Sequence, residues 1–228
     1  IQSRIPEIEI ELANNKIVKK DVFDDKNLLS KKEIQSLENN YILQRDLTID
    51  ENLYLSADKS LIIQKGVKIF FEKDVSIFSE GSIFFNGTKD QPIMIYSDNN
   101  FGSLILSNND FIFNNVIFKN LSYPKLKDKI LYGGVNIINS NVEIRDTQIT
   151  SSKSEDAINI ISSKTNIKNL MVKNIQSDAI DIDFGVLNFE DILCENIEND
   201  CLDVSGAHVV GNFINGSNLV IDGGYSSS

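Results

Sequence analysis

Hydrophobic and polar residues alternate along most of the chain, in short stretches separated by turn-forming pairs. From Leu47 to Ser97 apolar side chains recur at alternate positions, and Lys65-Gly66, Glu80-Gly81 and Asn86-Gly87 divide the stretches. A period of two places successive side chains on opposite faces of an extended strand. The pattern therefore predicts a series of short β-strands, each with one buried face.

A longer period overlies this alternation in the second half of the chain. Three similar segments, EDAINI, SDAIDI and NDCLDV, begin at Glu155, Ser177 and Asn199, which sets a step of 22 residues. Each step contains about three short strands separated by Asn, Asp, Ser or Gly. Such a repeat is typical of a solenoid in which each period forms one coil. We therefore predict an all-β fold, a right-handed parallel β-helix of roughly eight coils with about 22 residues per coil.

Two other fold classes explain the pattern less well. An α/β fold requires amphipathic helices of about 10–15 residues between the strands, and the repeat has no such segments. An antiparallel sandwich is the second choice, but it gives no reason for side-chain columns that recur every period. The columns are Asp146, Asn169 and Asp191, then Ile149, Val172 and Cys194, and then Asn174 and Asn196.

The two ends of the chain differ from the repeat. Ser30 to Glu33 has the Ser-x-x-Glu form of a helix capping box, so residues 1–46 are predicted to be a cap segment with a short helix. Residues 47–222 are predicted to form the parallel β-helix, and residues 223–228 a linker-like tail. Because open strand edges favour pairing with other chains, we expect further coils of a larger protein, or end-to-end or homo-oligomeric contact, at the C-terminal coil.

One insertion, YPKLKDKILY, interrupts the period between Tyr123 and Tyr132. It carries Lys125, Lys127 and Lys129 in an otherwise acidic protein. Loops on rigid scaffolds often carry binding residues, so one interpretation is an arm that contacts an anionic or sugar ligand with these lysines and tyrosines. The other interpretation is a solvated loop that its lysines keep soluble.

Acidic residues also fall into columns. Stacked coils bring residues one period apart to within about 5 Å, so Asn159, Asp181 and Asp203 are expected to align on an outward strand face. Asp183 lies two residues beyond Asp181 on the same face. Carboxylates at that distance repel one another and raise their pKa values. We therefore predict that Asp181, Asp183 and Asp203 bind Ca²⁺, which accepts irregular sets of oxygen ligands; simple solvation is the alternative.

A second acidic column has a structural explanation. Asp156, Asp178 and Asp200 each precede a strand, where Asp side chains commonly accept backbone N–H groups at a bend. The two cysteines, Cys194 and Cys201, are too few for a disulfide framework. We interpret both of them as small buried hydrophobic residues.

Charge and length restrict the possible partners. The formal net charge of −11 at pH 7 argues against nucleic acid and anionic membrane surfaces. No apolar run reaches the length of a membrane-spanning helix. His208, the only histidine, is interpreted as structural or exposed rather than catalytic.

The repeat resembles the pectin-lyase-like superfamily of right-handed β-helices from about Leu47 to Ile221. The stretch QSDAIDI is similar to the Asn-Thr-Asp-Gly-Ile-Asp motif of polygalacturonase-type glycoside hydrolases, and ENDCLDV to their Gly-Asp-Asp-Cys motif. The resemblance implies Asp178 and Asp200 as the acid and base of an inverting pair. The Gly-His-Gly and Arg-Ile-Lys motifs of that family have no counterpart here. The chain also resembles uncharacterised bacterial surface β-helix domains, for which no activity follows.

The sequence therefore favours an extracellular or cell-surface module without catalytic residues, a stiff scaffold that binds polysaccharide or assembles with other protein modules. The alternative is a Ca²⁺-dependent polysaccharide lyase or glycoside hydrolase acting on an acidic glycan. A lysine of the insertion, folded over the aspartates, would favour the enzyme.

Overall fold

A computed structural model describes residues 31–38, 40–126, 131–216 and 219–222. Within these ranges the chain forms 18 strands in one continuous sheet and no helix. The strands are β1 (Ile34–Leu37), β2 (Asn40–Leu43), β3 (Leu47–Ile49), β4 (Leu53–Leu55), β5 (Ser60–Gln64), β6 (Lys68–Phe71), β7 (Ser76–Ser79), β8 (Ser82–Asn86), β9 (Ile93–Tyr96), β10 (Ser103–Ser107), β11 (Asp110–Asn114), β12 (Val116–Lys119), β13 (Gly133–Ile138), β14 (Asn141–Thr150), β15 (Asp156–Ile175), β16 (Asp178–Ile197), β17 (Leu202–Asn215) and β18 (Leu219–Asp222).

The strands stack in parallel to form a β-solenoid of about seven turns, fewer than the eight coils that the sequence predicts. Three faces run along it. Face A contains β2, β5, β8 and β11, and face B contains β3, β6, β9 and β12. Face C contains β4, β7, β10 and β13, and it continues through the first segments of β15, β16 and β17 to β18.

The core is built from columns of apolar side chains that point inward at alternate positions. Ile160, Ile182 and Val204 stand in register in successive coils and are fully buried. On face A the rings of Phe85 and Phe113 stack with centroids 4.8 Å apart. The 22-residue period and the inward and outward assignment of the repeat are confirmed.

Single residues with positive φ turn the chain at the corners between the faces. At the corner from face B to face C, Asn174 and Asn196 have φ values of 56° and 55°, and Asn196 Nδ2 donates to Asn174 Oδ1 at 3.0 Å. Asn and Asp tolerate this left-handed region better than other residues with a Cβ. The polar columns in the sequence are therefore the corners of the solenoid.

The predicted N-terminal helix is wrong for the residues that the structure describes. Ile34–Leu37 is strand β1, which pairs antiparallel with β2. The Ser-x-x-Glu pattern leads into a turn instead, in which Ile34 N–H donates to Lys31 O at 3.0 Å. The chain can turn back because Glu38 adopts a positive φ of 52°. Residues 1–30 and the tail 223–228 lie outside the described residues.

The interpretation of the cysteines is also wrong in part. Both are buried, as predicted, but Cys194 and Cys201 form a disulfide with a Cα–Cα distance of 5.8 Å. Cys194 lies on face B. Cys201 directly follows the bend residue Asp200, so the two sulfurs meet across the corner between faces B and C. Gly216 of the next coil lies over the bond, since a Cβ there would stand 2.6 Å from Cys194 Cβ.

Candidate functional site

One outward column of face C changes its chemistry along the solenoid. The register places its members directly above one another. They are apolar in the first coils, amides in the middle and acids in the last coils. In order the column consists of Tyr54, Phe78, Ile105, Asn136, Asn159, Asp181 and Asp203.

The insertion covers the apolar part of this column. Leu131 is buried in a small cluster with Phe78 and Ile105 on the outside of face C, and Leu126 packs against the same cluster. Lys125 Nζ pairs with Asp74 Oδ2 at 2.7 Å. The described part of the insertion is therefore a flap that lies on face C, rather than the projecting arm or the fully solvated loop that the sequence suggests.

Of the three lysines of the insertion, the structure describes Lys125. Lys125 makes an ion pair with Asp74, beside β7. Lys127 and Lys129 lie outside the described residues. The two tyrosines at the ends of the insertion are exposed: Tyr123 by 45% and Tyr132 by 44%. These are large exposures for aromatic side chains on a segment in which Leu131 is buried and Leu126 is partly buried.

Two buried amides mark the border between the covered and the acidic parts of the column. Asn136 is fully satisfied, because its Oδ1 accepts from Gly133 N–H at 3.0 Å and its Nδ2 donates to Gly133 O at 2.6 Å. Asn159 is 2% exposed, and its Nδ2 donates to Asp156 Oδ2 at 3.1 Å and to Asp181 Oδ2 at 3.0 Å. Asn159 Oδ1 is buried and has no hydrogen-bond partner among the described residues.

Beyond the amides the outer surface of face C is acidic. We call Asp156, Asn159, Asp181, Asp183 and Asp203 the acidic strip. Asp156 is buried, and Asp181, Asp183 and Asp203 are half-buried. The column neighbours are Asn159, Asp181 and Asp203, and Asp183 stands in the adjacent column between Ile161 and Ser205. The predicted alignment of these side chains is confirmed by the register.

Three carboxyl groups of the strip, those of Asp156, Asp181 and Asp183, are hard to ionise. Burial, followed by the negative charge of Asp183, raises the pKa of Asp181 to about 8. Burial raises the pKa of Asp156 to about 7, although the hydrogen bond from Asn159 opposes this shift. Burial and the charge of Asp203 also raise the pKa of Asp183. Both causes, desolvation and repulsion between like charges, disfavour the ionised form.

Asp178 has the role expected of a bend residue. Asp178 Oδ1 accepts from Asp200 N–H at 2.8 Å and from Asn199 Nδ2 at 2.7 Å. Asp178 and Asp200 are both buried. These bonds fasten the bend of one coil to the next, which accounts for Asp178 without chemistry.

The predicted calcium site requires several oxygens that converge on one point. Among the described residues, no group of three or more His, Cys, Asp or Glu side chains is arranged to hold a metal ion. Asp181 and Asp203 instead follow one another along a row with the spacing of the coils. The binding of Ca²⁺ by Asp181, Asp183 and Asp203 stays a prediction.

Two acidic side chains on the other two faces are each neutralised by a lysine of the preceding coil. Lys168 Nζ pairs with Glu190 Oε2 at 2.8 Å on face A, and Lys173 Nζ pairs with Glu195 Oε2 at 2.7 Å on face B. No lysine or arginine among the described residues pairs with Asp156, Asp181 or Asp183. The acidic strip thus differs from the surface acids of the same coils. His208, as expected, is exposed on face A.

Sequence reasoning missed two members of this region. Asn136 is surrounded by hydrophobic residues in the sequence, and only the 23-residue step from β13 to β15 aligns it with Asn159. Asp156 was assigned to a bend, but its carboxylate also reaches the outward amide of Asn159. The matching positions of Asn159 and Asp181 in the repeat were the signal that located the strip.

No family model matches the chain, and no curated protein or solved structure is significantly similar to it. The resemblance to pectin-lyase-like proteins is therefore supported at the level of a parallel β-solenoid alone. The part of the chain that the structure describes has no helix long and apolar enough to span a membrane.

Proposed function

We propose that the chain is a non-catalytic extracellular β-solenoid module that binds a glycan through the tyrosines of the flap. The single observation that carries this proposal is the exposure of Tyr123 and Tyr132, at the two ends of a segment whose described residues Leu126 and Leu131 pack on face C. Aromatic rings that combine an apolar face with a polar hydroxyl are suited to stacking on sugar rings and to hydrogen bonding with their hydroxyl groups. The solenoid supplies a rigid support for such a surface.

The backbone around both tyrosines is fixed, which supports a preformed binding surface. Next to Tyr123, Ser122 N–H donates to Gly102 O at 3.0 Å, and Tyr132 O accepts from Asp156 N–H at 3.2 Å. The chain segment before Tyr123 and the segment after Tyr132 lie against each other, since a Cβ on Gly134 would stand 3.2 Å from Leu121 Cβ. A ligand that stacks on rings held in this way loses little entropy in ordering the protein.

The disulfide supports the extracellular assignment. Disulfides persist in secreted and surface proteins and are rare in reducing compartments. The bond between Cys194 and Cys201 closes a loop of the solenoid wall and is buried. A structural disulfide of this kind is expected of a protein that folds in an oxidising environment.

Calorimetric titration with a panel of neutral and acidic oligosaccharides tests the proposal. Binding of at least one glycan is expected, with a loss of roughly tenfold or more in affinity for Tyr132→Ala and Tyr123→Ala. Tyr96→Ala is the matched control, because Tyr96 lies on face B against Phe70. Binding that all three variants retain, or no binding across the panel, would contradict glycan recognition by the flap.

A polysaccharide-processing enzyme is the second candidate, and the chemistry of Asp181 favours it. A carboxyl group with its pKa raised to about 8 is protonated at neutral pH and can act as a general acid. Lys125, the described lysine of the insertion, is paired with Asp74, so it lends no support as the base of a lyase. The test is depolymerisation of acidic polysaccharides, measured with and without Ca²⁺. Depolymerisation that is lost in Asp181→Asn would establish the enzyme and exclude the non-catalytic module.

A further inference from the structure

The acidic strip lacks hydrogen-bond donors in proportion to its acceptors. When they are ionised, Asp156, Asp181 and Asp183 present six carboxylate oxygens along face C, those of Asp156 from a buried position. Among the described residues, Asn159 Nδ2 is the side-chain donor that reaches Asp156 and Asp181. Asn159 Oδ1 adds a buried acceptor that has no partner among the described residues. A buried polar atom without a partner costs free energy. A ligand made of donors would remove that cost.

Asp156, Asp181 and Asp183 also lack a cationic partner in the part of the chain that the structure describes. Asp156, Asp181 and Asp183 make no ion pair with a described lysine or arginine, whereas Glu190 and Glu195 on the other faces each do. The charges that act on Asp181 come from Asp183, Asp156, Asp203 and Asp178, all of them negative. The unmet requirements for donors and for cations therefore coincide at the same place.

The geometry distinguishes between kinds of cation. A metal ion needs oxygens that converge on one point, and the described residues contain no such group. A guanidinium group is a planar fork that matches the two exposed oxygens of one carboxylate. An alkylammonium group is compact and carries donors without acceptors, so it fits between a monodentate carboxylate and the Asn159 carbonyl.

The acceptors repeat along the solenoid axis. Asn159, Asp181 and Asp203 belong to successive coils, which are separated by about 4.8 Å. A three-carbon spacer between two nitrogens is close to this repeat when it is extended. A linear chain of ammonium groups can therefore place successive nitrogens at successive coils.

We propose that the acidic strip binds a linear aliphatic polyamine, which lies along the solenoid axis with one ammonium group at Asn159 Oδ1 and Asp181 and the next at Asp183 and the following coil. The polyamine donates N–H groups to the unpartnered amide oxygen and neutralises the row of carboxylates. The polyamine binds in its protonated form, because alkylamines remain charged well above neutral pH. The site is separate from the tyrosines of the flap and does not depend on glycan binding.

Isothermal titration at pH 8 with norspermidine, whose nitrogens are separated by three carbons, tests the site. The matched ligand is bis(hexamethylene)triamine, which has the same number of amines on six-carbon spacers. The comparison keeps the number of amine groups constant and changes their spacing. Registration with the coils predicts affinity for norspermidine that is higher by roughly fivefold or more. Triacetylated norspermidine, which carries no charge, is expected not to bind.

Variants of the strip and of the other faces complete the test. Asp181→Asn and Asp183→Ser are expected to weaken norspermidine binding by roughly tenfold, the loss typical of one charge-assisted hydrogen bond. Serine is already present next in that column at Ser205, so Asp183→Ser keeps the fold. Glu190→Gln and Glu195→Gln are expected to bind as the unchanged protein does.

Four results would overturn the proposal: no binding of norspermidine, equal affinity for both triamines, equal loss in the Glu190 and Glu195 variants, or displacement of norspermidine by stoichiometric Ca²⁺. The last result would establish the calcium site instead. Glycan binding by Tyr123 and Tyr132 is measured separately, so either proposal can fail alone.

Discussion

Asn159 and Asp181 occupy the same position in neighbouring coils, and Asn159 Nδ2 donates to Asp181 Oδ2 at 3.0 Å. The same nitrogen donates to Asp156 Oδ2 at 3.1 Å. One amide therefore stands between two carboxyl groups that repel each other. It holds them in place with hydrogen bonds, and their raised pKa values reduce the charge that burial has to accommodate.

We predict that the free energy of unfolding decreases as the pH rises from about 4 to about 8. The pKa of Asp181 rises from its ordinary value of 3.8 to about 8, and that of Asp156 to about 7, in the folded chain. The folded protein therefore binds protons that the unfolded chain has released, so stability is lost as these groups ionise. At about 1.4 kcal/mol per pKa unit, we expect a loss of roughly 5 kcal/mol or more between pH 5 and pH 9. Urea unfolding at pH 5 and pH 9 measures it.

Asp181→Asn provides the control for this pH dependence. The variant keeps the side-chain shape and has no charge to bury, so its stability is expected to fall less between pH 5 and pH 9. At pH 9 it is expected to be more stable than the unchanged protein. An identical pH dependence in both proteins would show that Asp181 is not the group that titrates.

We predict that Asn159→Asp destabilises the solenoid by about 1–3 kcal/mol at pH 8, because it replaces a bridging donor with another acid in the column. The effect should shrink at pH 5, where the carboxyl groups are protonated. Asn188→Asp is the matched change on face A, where Asn188 Nδ2 donates to Asn166 Oδ1 at 3.0 Å at an exposed position. We expect it to cost less than about 1 kcal/mol. Equal losses would argue against repulsion in the strip.

The backbone that presents Asp183 depends on Gly185. Gly185 has a φ of 124°, and a Cβ there would stand 2.2 Å from Ser163 O in the preceding coil. Gly185→Ala is expected to cost roughly 2–4 kcal/mol. Gly66 has a φ of 78° but open surroundings, with its nearest neighbour at 3.6 Å, so Gly66→Ala is expected to cost about 1–2 kcal/mol. Thermal melting distinguishes the two variants, and equal melting temperatures would contradict the close approach of the coils.

Removal of the disulfide is expected to destabilise the chain without abolishing the fold. Chain entropy predicts a loss of about 2–3 kcal/mol for the short loop between Cys194 and Cys201 in the double alanine variant. Guanidinium unfolding without reductant measures the difference. Two results would show that the disulfide is absent in solution. The free energies of unfolding would differ only by the loss of two buried side chains, and reductant would leave that of the unchanged protein as it is.

Much of the fold could be predicted from the sequence, because the repeat imposes its own register. Once EDAINI and SDAIDI align, Ile158 must stack on Ile180 and Asn159 on Asp181, and alternation decides which of them is buried. The corners follow from Asn and Asp in fixed columns. The acidic strip could be located for the same reason, since its members differ by one period.

The features that could not be predicted arise where the chain leaves the period. The flap folds back because Leu126 and Leu131 cover Phe78 and Ile105, a contact between segments that no repeat relates. The apolar outside of face C in the early coils was not recognised. The disulfide joins two columns of inward side chains that meet across a corner. Alternation within one strand does not show which columns meet there.

The antiparallel hairpin of β1 and β2 forms where a local sequence signal predicts a helix. Ser-x-x-Glu stabilises a helix when an apolar face follows to bury it. Here Ile34–Leu37 pairs antiparallel with Asn40–Leu43, and that pairing gives the backbone a partner at the first edge of the solenoid. Tertiary pairing therefore outweighs the capping preference.

A crystal structure of the protein with norspermidine shows whether the acidic strip is a ligand site. We expect a polyamine along face C, with nitrogens within hydrogen-bond distance of Asn159 Oδ1, Asp181 and Asp183 and spaced as the coils are. A polyamine bound elsewhere, or a strip that binds none at saturating concentration, would contradict it.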